Sequence, residues 1–177
     1  MIKIDPCLVR ESLDYNPDTG ILVWKHRVLR AGFERVDKAW NTAHAGKIAK
    51  GQAHRHGHFQ LMLFCRNYMM HRIVWAHYYG ETTQGGIDHI NGDPTDNRIK
   101  NLRLANQSQN LMNSKVHFDS TSGVKGVSWD KRAGKWYVYI NTQYKRKFLG
   151  TFDDLSVAAK IRKEAEQKYH GEFARNT

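Results

Sequence analysis

The residues of this 177-residue chain that could do chemistry together lie between Ile87 and Asn110. Asp88 and His89 are adjacent, and Asn110 follows them after a turn-rich stretch. A carboxylate and an amide oxygen suit a hard divalent ion such as Mg²⁺. A neutral histidine can take a proton from a water molecule that attacks phosphorus. Together these groups predict metal-assisted hydrolysis of a phosphate ester, in which the ion stabilises the developing negative charge.

The elements around this group must bring its members together. Adjacent side chains on a strand face opposite sides, so Asp88 can hold a metal while His89 faces a separate water. A tight turn that contains glycine and proline follows, and we expect Ile99, Leu102 and Leu104 to pack the returning strand. The predicted strand, loop and strand therefore give the two neighbouring residues separate roles.

A short helix is predicted directly after the returning strand. Asn106 is a favourable N-cap, and Gln109 follows it at the spacing of a capping box. Asn110 and Asn113 are spaced so that they share one face of that helix. The helix thereby allows Asn110 to converge with the carboxylate and the histidine.

Local signals predict the elements upstream of this motif. The helical signals are caps and apolar spacing, and the turn signals are clusters of Gly, Pro, Asn and Asp. The predicted elements are a helix that begins at Asp5-Pro6, a turn at 16–20 followed by a strand, a loop-rich stretch at 29–50, a strand at 58–64 with a turn at Arg66-Asn67, and a helix that ends at Gly80.

A group of histidines precedes the strand predicted at 58–64. His54, His56 and His58 alternate along the sequence and would share one face of a strand. Such a group can bind a metal, contact phosphate or simply lie at the surface. The sequence leaves these three interpretations open.

The charge of the chain indicates its partner. The formal net charge is +11 without the ten histidines. Nucleic acid is the usual partner of such a charge, through phosphate contacts, and an anionic membrane surface is the main competitor. Five Trp and eight Tyr are interleaved with the basic residues, which favours nucleic acid. We expect double-stranded DNA as the partner, with neither a membrane nor a small-molecule substrate.

Composition also predicts where the protein works. No apolar run approaches the roughly 20 residues that a transmembrane helix needs, and acidic residues near the N-terminus exclude a signal peptide. Cys7 and Cys65 lie far apart and form neither a disulfide framework nor a cysteine zinc site. We expect both to be buried thiols in a reducing compartment, and we expect no structural zinc.

The spacing of His89, Asn101 and Asn110 resembles the HNH nuclease motif with Asn in place of its last His. This variant is familiar among phage and intron-encoded HNH homing endonucleases. The resemblance implies a ββα-metal core over about residues 70–113, with His89 as general base. It also implies that Asp88 and Asn110 hold one divalent metal, Mg²⁺ or alternatively Mn²⁺, and that Asn101 fixes the loop presenting His89.

Three further residues belong to this resemblance with less defined roles. His71 and Arg72, in the sequence MHRIVWAHYYG, match a recurrent His-Arg pair of those proteins. Asn113 can support the metal site or simply lie on the helix surface. Their roles stay open at the level of sequence.

A second basic module follows a polar stretch at 114–123. Alternate residues of its central strand face opposite sides of a sheet. Val138 and Ile140 would pack on a C-terminal helix, whereas Tyr137, Tyr139 and Asn141 would face outward. A basic, aromatic and polar sheet face suits a reader of the DNA major groove, and a solvated basic hairpin is the alternative.

The same module resembles the AP2 DNA-binding domain. The resemblance rests on KGVSWDKRAGKWYVYI, on FLGTF and on an Ala-rich helix that ends in HGEFA. By position it implies DNA contacts from Lys125, Ser128, Tyr139, Asn141, Arg146 and Phe148. The basic and outward-facing pattern adds Lys131, Arg132, Tyr137 and Lys145. Several of these positions differ from plant members, so the resemblance implies no particular target sequence.

These observations predict an α+β protein of two parts. Residues 1–113 would form the HNH module with preceding antiparallel strands, 114–123 a linker, and 124–177 an AP2-like domain of three antiparallel strands packed on one helix. The predicted function is metal-dependent, site-specific DNA cleavage by a phosphodiester hydrolase, implied by the resemblance to be a phage homing endonuclease in the bacterial host cytoplasm. A monomer that nicks DNA is expected, with a dimer left open. The alternatives are an inactive DNA-binding regulator and a weakly specific phage nickase.

Overall fold

The computed structural model describes residues 4–174, apart from the side chain of His56, so the predicted domain ends at 1–3 and 175–177 lie outside it. The fold is a mixture of helices and strands. The chain forms two compact units. The first comprises residues 4–89 and 93–104, and the second comprises residues 90–92 and 105–174. Within the described part, no helix has the length and apolar character needed to cross a membrane.

The first unit is built from short strands and three helices. Its elements are α1 (Pro6–Ser12), β1 (Leu13–Asn16), β2 (Ile21–Trp24), α2 (Glu34–His44), β3 (Gln52–Ala53), β4 (Phe59–Leu63), β5 (Arg66–Met69), α3 (Met70–Tyr79), β6 (Gly86–His89) and β7 (Leu102–Ala105), the last residue of which belongs to the second unit. Strands β1 and β2 form an antiparallel pair, β3, β4 and β5 form an antiparallel sheet in that order, and β6 pairs with β7.

Caps and turns that were evident in the sequence define several of these elements. The Asp5 side chain accepts a hydrogen bond from the Cys7 amide at the start of α1, and Pro6 occupies the first helical turn. The predicted turn at 16–20 joins β1 to β2. Helix α3 ends at Gly80, whose left-handed backbone (φ 72°) closes the helix.

The prediction that residues 29–50 are loop-rich is wrong, because α2 occupies Glu34–His44. The buried residues of α2 are Asp37 and Asn41, one turn apart. The Arg30 guanidinium donates to both carboxylate oxygens of Asp37. The apolar residues of this helix do recur at helical spacing, at Val36, Ala39, Trp40 and Ala43, but they are not its buried residues.

The predicted turn at Arg66-Asn67 is also wrong. Both residues lie in β5, and the turn between β4 and β5 is formed by Phe64 and Cys65, with φ of 52° and 61°. Positive φ at both central residues is characteristic of a two-residue hairpin, in which Asn-Gly is the usual sequence. Phe-Cys therefore gives no turn signal. Cys65 and Cys7 are both exposed free thiols, which corrects the expectation that they are buried.

The core of the first unit is apolar and is centred on α3. Ile73 and Val74 are fully buried and pack in one cluster with residues of α1, β1, β2 and β4. Leu102 of β7 joins this core, with Ile99 packed against it. Leu104 does not, because it is 49% exposed, so its predicted packing role is wrong.

The second unit contains a short helix and a sheet with one packed helix. Its elements are α4 (Gln107–Met112), β8 (Val127–Asp130), β9 (Lys135–Thr142), β10 (Lys145–Phe152) and α5 (Leu155–His170). The predicted capping box of α4 is present, with reciprocal hydrogen bonds between Asn106 and Gln109. The stretch 114–123 holds no helix or strand.

The predicted three-stranded antiparallel sheet is present, with β9 at its centre. Val138 and Ile140 of β9 are fully buried. Val138 packs with Ala158 of α5, and the ring of Trp136 packs against the same cluster. The opposite face of β9 is left for its polar and aromatic residues.

Candidate active site

His89 is the last residue of β6 and its side chain is almost buried, with 4% of the residue exposed. Burial lowers the pKa of His89. The hydrogen bond to Asn97 and the nearby carboxylates raise this pKa, but by less than burial lowers it. The imidazole is therefore neutral near pH 7, as proton transfer from water requires.

Asn97 determines which ring nitrogen of His89 can accept a proton. Its Oδ1 lies 3.3 Å from His89 Nε2, while its Nδ2 donates to the Thr95 carbonyl at 3.3 Å. Since the amide oxygen can only accept, Nε2 carries the hydrogen and Nδ1 holds the lone pair. The backbone carbonyl of Asn97 in turn accepts a hydrogen bond from the Tyr15 hydroxyl at 2.8 Å, which holds the residue in place. Sequence reasoning missed Asn97 because it is one of several turn-type residues between β6 and β7.

Asp88 faces a different environment from its neighbour, as strand alternation predicts. Arg103 of β7 donates to Asp88 Oδ2 from Nε at 2.9 Å and from Nη2 at 2.8 Å. The two side chains are 12% and 11% exposed, so this ion pair is largely shielded from water. Arg103 therefore orients the carboxylate and supplies it with a neighbouring positive charge. It was not predicted, because the pairing of β6 with β7 had to be known first.

Asn101 lies in a 3₁₀ turn, Ile99–Asn101, just before β7. Its Nδ2 donates to the Asp96 carbonyl at 2.8 Å, and its own amide donates to the Arg98 carbonyl at 2.9 Å. These bonds close the end of the loop that begins after His89. The loop-holding role that the sequence resemblance implies for Asn101 stays a prediction.

Two further histidines surround His89. The ring centroid of His71, on α3, lies 5.3 Å from that of His89, and the His58 centroid lies 5.7 Å from it. Burial, followed by the neighbouring imidazoles, lowers the pKa of His71 to about 3. The expected alternation of His54, His56 and His58 on one strand face is wrong, because a 3₁₀ turn at Arg55–Gly57 intervenes before β4. The His56 side chain lies outside the described residues.

Arg72 serves the chain segment that leads to β6. Its guanidinium donates to the Thr83 carbonyl at 3.1 Å and to the Gly85 carbonyl at 3.0 Å. These bonds tie α3 to the residues just before the strand that carries the histidine. The two residues of the His-Arg pair therefore have different contacts. The His71 ring lies beside His89, whereas the Arg72 guanidinium binds the segment that leads into β6.

Asn110 and Asn113 are found in the second unit, at helix α4. The Oδ1 atom of Asn110 is buried and has no hydrogen-bond partner among residues 4–174. A buried acceptor without a partner carries a substantial free-energy cost unless something else binds it. Asn113 caps the helix and donates to the Ile90 carbonyl at 3.5 Å. This bond connects α4 to the residue that follows His89.

The outward face of the β8–β10 sheet carries most of the residues predicted to contact DNA. Register pairs Ser128 with Tyr137, Tyr139 with Phe148, and Asn141 with Arg146. The Tyr137 and Phe148 rings stack at 4.9 Å, and the Arg146 guanidinium lies 4.0 Å above the Tyr139 ring. Lys131 and Arg132 lie in the turn before β9, and Lys145 is exposed at the start of β10. The result is a flat aromatic surface with basic margins.

Lys125 has a structural partner at helix α4. Its ammonium donates to the carbonyls of Leu111, Met112 and Ser114 and to the Ser114 hydroxyl. A cation at this position satisfies carbonyls at the C-terminal end of a helix. Lys125 is therefore engaged within the protein.

Comparisons with known proteins agree with the sequence motif. The HNH endonuclease family model matches residues 68–112, a range that includes α3, β6, β7 and α4, and this confirms the predicted HNH endonuclease domain. Protein 3.8 of Escherichia phage T7 is 37% identical over 106 residues, which cover 59% of this chain and 87% of that protein. A structure described as DNA binding and cleavage by the HNH homing endonuclease I-HmuI matches with a TM-score of 0.41 and 22% identity, over 64% of this chain and 57% of that one.

Proposed function

The chain belongs to the family of Protein 3.8 of Escherichia phage T7 and contains an HNH endonuclease domain, and on that basis we propose that it is a metal-dependent, site-specific DNA endonuclease. The observation that carries this proposal is the pairing of His89 with Asn97. This pairing holds a hydrogen on Nε2, and in the neutral imidazole, which burial favours, it leaves the lone pair on Nδ1 for a general base.

In the proposed reaction, His89 takes a proton from the water that attacks the phosphodiester in line. The products are a 5′-phosphate and a 3′-hydroxyl. Asn97 holds the imidazole in one tautomer, and Asn101 holds the loop in which Asn97 lies. A bound divalent cation supplies stabilisation of the negative charge that develops on the phosphate.

Asp88 and Asn110 are the proposed metal ligands, and their chemistry fits a hard cation. The Asn110 amide oxygen is buried without a hydrogen-bond partner in the described part of the chain, and a metal ion is one group that could satisfy such an acceptor. The Asp88 carboxylate is oriented by Arg103. Oxygen ligands of this kind favour Mg²⁺, with Mn²⁺ as the alternative.

We propose that the aromatic face of the β8–β10 sheet binds double-stranded DNA, in the manner expected of an AP2-like domain. The support is its chemistry, since stacked aromatic rings flanked by Arg146, Lys131, Arg132 and Lys145 offer both apolar contact and phosphate binding. Lys125 is left out of this surface because its ammonium is occupied at helix α4.

A pair of adjacent basic residues tests the DNA-binding face. Arg146 lies over Tyr139 on the outward face, whereas the Lys147 ammonium contacts the Tyr169 hydroxyl on the helix side. Arg146→Ala should weaken DNA binding and reduce the salt slope by about 0.9 per lost phosphate contact. Lys147→Ala should leave the slope unchanged. Equal effects of the two substitutions would assign the binding to bulk charge and not to this face.

A second candidate function is an inactive, DNA-binding regulator. The observation that favours it is the burial of His89, which is 4% exposed and therefore offers little surface to a water molecule. This candidate predicts that the protein binds its DNA site with Mg²⁺ present and leaves the DNA intact.

Cleavage of supercoiled plasmid that carries segments of the parent phage genome separates the two candidates. The wild-type protein should nick it with Mg²⁺ and lose this activity in EDTA, whereas His89→Ala should bind without cleaving. Binding by both proteins without cleavage by either would establish the regulator.

We expect a monomer, acting in the cytoplasm of a bacterial host, to nick one strand, because one ββα-metal site cuts one strand. Mapping the cuts on both strands of the genome measures this directly and also distinguishes a site-specific enzyme from a weakly specific nickase. Paired cuts on opposite strands would indicate a dimer.

A further inference from the structure

Three histidines from separate elements of the first unit meet beside β6. His58 precedes β4, His71 lies in the first turn of α3, and His89 ends β6. One ring nitrogen from each lies within 4.8 Å of the other two. The ring centroids are separated by 5.3, 5.7 and 5.3 Å. His71 and His89 are buried and His58 is half-buried, so the group lies largely inside the first unit and is not a surface patch.

We propose that His58, His71 and His89 form a second metal site, which binds Zn²⁺ or a similar borderline-soft transition-metal ion and thereby inhibits the nuclease. Imidazole nitrogen is a preferred ligand of Zn²⁺, Co²⁺ and Ni²⁺, whereas Mg²⁺ prefers oxygen. The cluster consists of three imidazoles, so it selects against the ion that the carboxylate and amide of the proposed catalytic site would hold.

The distances are compatible with such an ion. Zn–N bonds of about 2.0–2.1 Å in a tetrahedral arrangement place ligand nitrogens about 3.3 Å apart. The present separations, within 4.8 Å, require the rings to close by about 1.5 Å at most. Rotation of side chains, His58 above all, can supply that movement because His58 is the least buried of the three. Three protein ligands leave the fourth position of the ion open to water.

Asn97 completes the argument for His89 as a ligand. Histidines that bind metal usually donate their second ring N–H to a neighbouring acceptor, and His89 Nε2 already faces Asn97 Oδ1 at 3.3 Å. In that tautomer Nδ1 holds the lone pair. The same lone pair would take the proton in the proposed reaction, so a bound ion and general-base catalysis exclude each other. The inhibition, unlike the binding, rests on the proposed function.

Metal binding is tested on the full-length protein after removal of metals with EDTA and dialysis. Co²⁺ is titrated while the visible absorption of tetrahedral Co²⁺ is followed, and Zn²⁺ affinity is measured by calorimetry. We expect one site per chain, weakened more than about 100-fold by His58→Ala because loss of a ligand exceeds loss of an outer-shell partner. His54→Ala is the matched control, since this neighbouring histidine lies outside the cluster, and it should leave the affinity unchanged.

Inhibition is tested by adding Zn²⁺ to plasmid nicking in excess Mg²⁺. The wild type and His54→Ala should be inhibited at the same Zn²⁺ concentration, and His58→Ala should need at least tenfold more. His58→Asn, with its thermal midpoint measured, replaces the alanine variant if that protein does not fold. Zn²⁺ affinity that is equal in the wild type and both His58 variants, or inhibition that is equally strong in them, would overturn the proposal. If no protein nicks DNA, the endonuclease proposal fails, while the Co²⁺ spectrum still decides whether the site exists.

Discussion

Asn97 is the residue whose removal tests the proposed active site most directly. Its hydrogen bond to His89 lies between two nearly buried groups, with Asn97 only 6% exposed. Such a bond contributes about 1–2 kcal/mol, and that loss corresponds to about a 5- to 30-fold change in an equilibrium or rate. Asn97→Leu should therefore slow DNA nicking about 5- to 30-fold, because the imidazole is no longer held in the reactive tautomer.

The measurement is the single-turnover rate of plasmid nicking at saturating protein and Mg²⁺, so that binding and product release do not contribute. Asn97→Asp keeps an acceptor for Nε2–H and should recover much of the rate lost in the leucine variant. Asn41→Leu is the matched control, because Asn41 is a similarly buried asparagine that makes two side-chain bonds, both to the Arg27 backbone.

Both leucine variants should lose comparable thermal stability, since each loses two side-chain hydrogen bonds, while only Asn97→Leu should lose rate. A wild-type rate in folded Asn97→Leu would refute the assignment. A loss of rate that is equal in the two variants would trace the effect to general destabilisation instead.

Three other predictions follow from charged and aromatic contacts. Arg103→Gln should destabilise the fold by about 3 kcal/mol because it removes the guanidinium that pairs with the largely shielded Asp88 carboxylate, and urea denaturation should show that adding Asp88→Asn costs less than the sum of the two. Arg30 holds the pKa of Asp37 at about 2, below its ordinary value of 3.8. The stability that this pair contributes is therefore present above about pH 4 and is lost as pH falls toward 2. Over that range the urea midpoint of Asp37→Asn should vary less than that of the wild type. Tyr139→Ala should weaken binding to double-stranded DNA about tenfold, the size of one lost base contact in the major groove, with an unchanged salt slope in fluorescence titrations. An altered slope would mean that phosphate contacts had been lost as well.

The elements that the sequence predicts well are those with local signals. The capping box at Asn106, the Asp5-Pro6 start of α1 and Gly80 at the end of α3 each satisfy backbone groups within a few residues, so a short stretch of sequence contains the whole cause. The different surroundings of Asp88 and His89 belong to the same class, because alternation along one strand is enough to send the two side chains to opposite faces.

The features that could not be predicted are of two kinds. Some depend on partners that are distant in sequence, and others bury polar residues where apolar ones are expected. The buried face of helix α2 consists of Asp37 and Asn41. The Arg30 side chain and the Arg27 backbone satisfy their polar groups through hydrogen bonds that form only in the folded chain. Arg103 is an ordinary strand residue until β7 is placed beside β6. Likewise the three-histidine cluster joins elements whose sequences carry no common spacing.

Strand β6 solves a conflict that any such site faces. Burial favours the neutral form of a histidine, which a general base needs, but it disfavours the charged form of a carboxylate, which is the form that would bind a metal ion. Placing the two groups next to each other on a strand sends His89 among buried imidazoles and a neutral amide, and sends Asp88 toward the Arg103 guanidinium. A shift of one residue in register would exchange the two environments. It would place the histidine beside the Arg103 guanidinium and would bury the carboxylate among imidazoles without that cation. The Asp88–Arg103 pair therefore stabilises the register on which the proposed role of His89 depends.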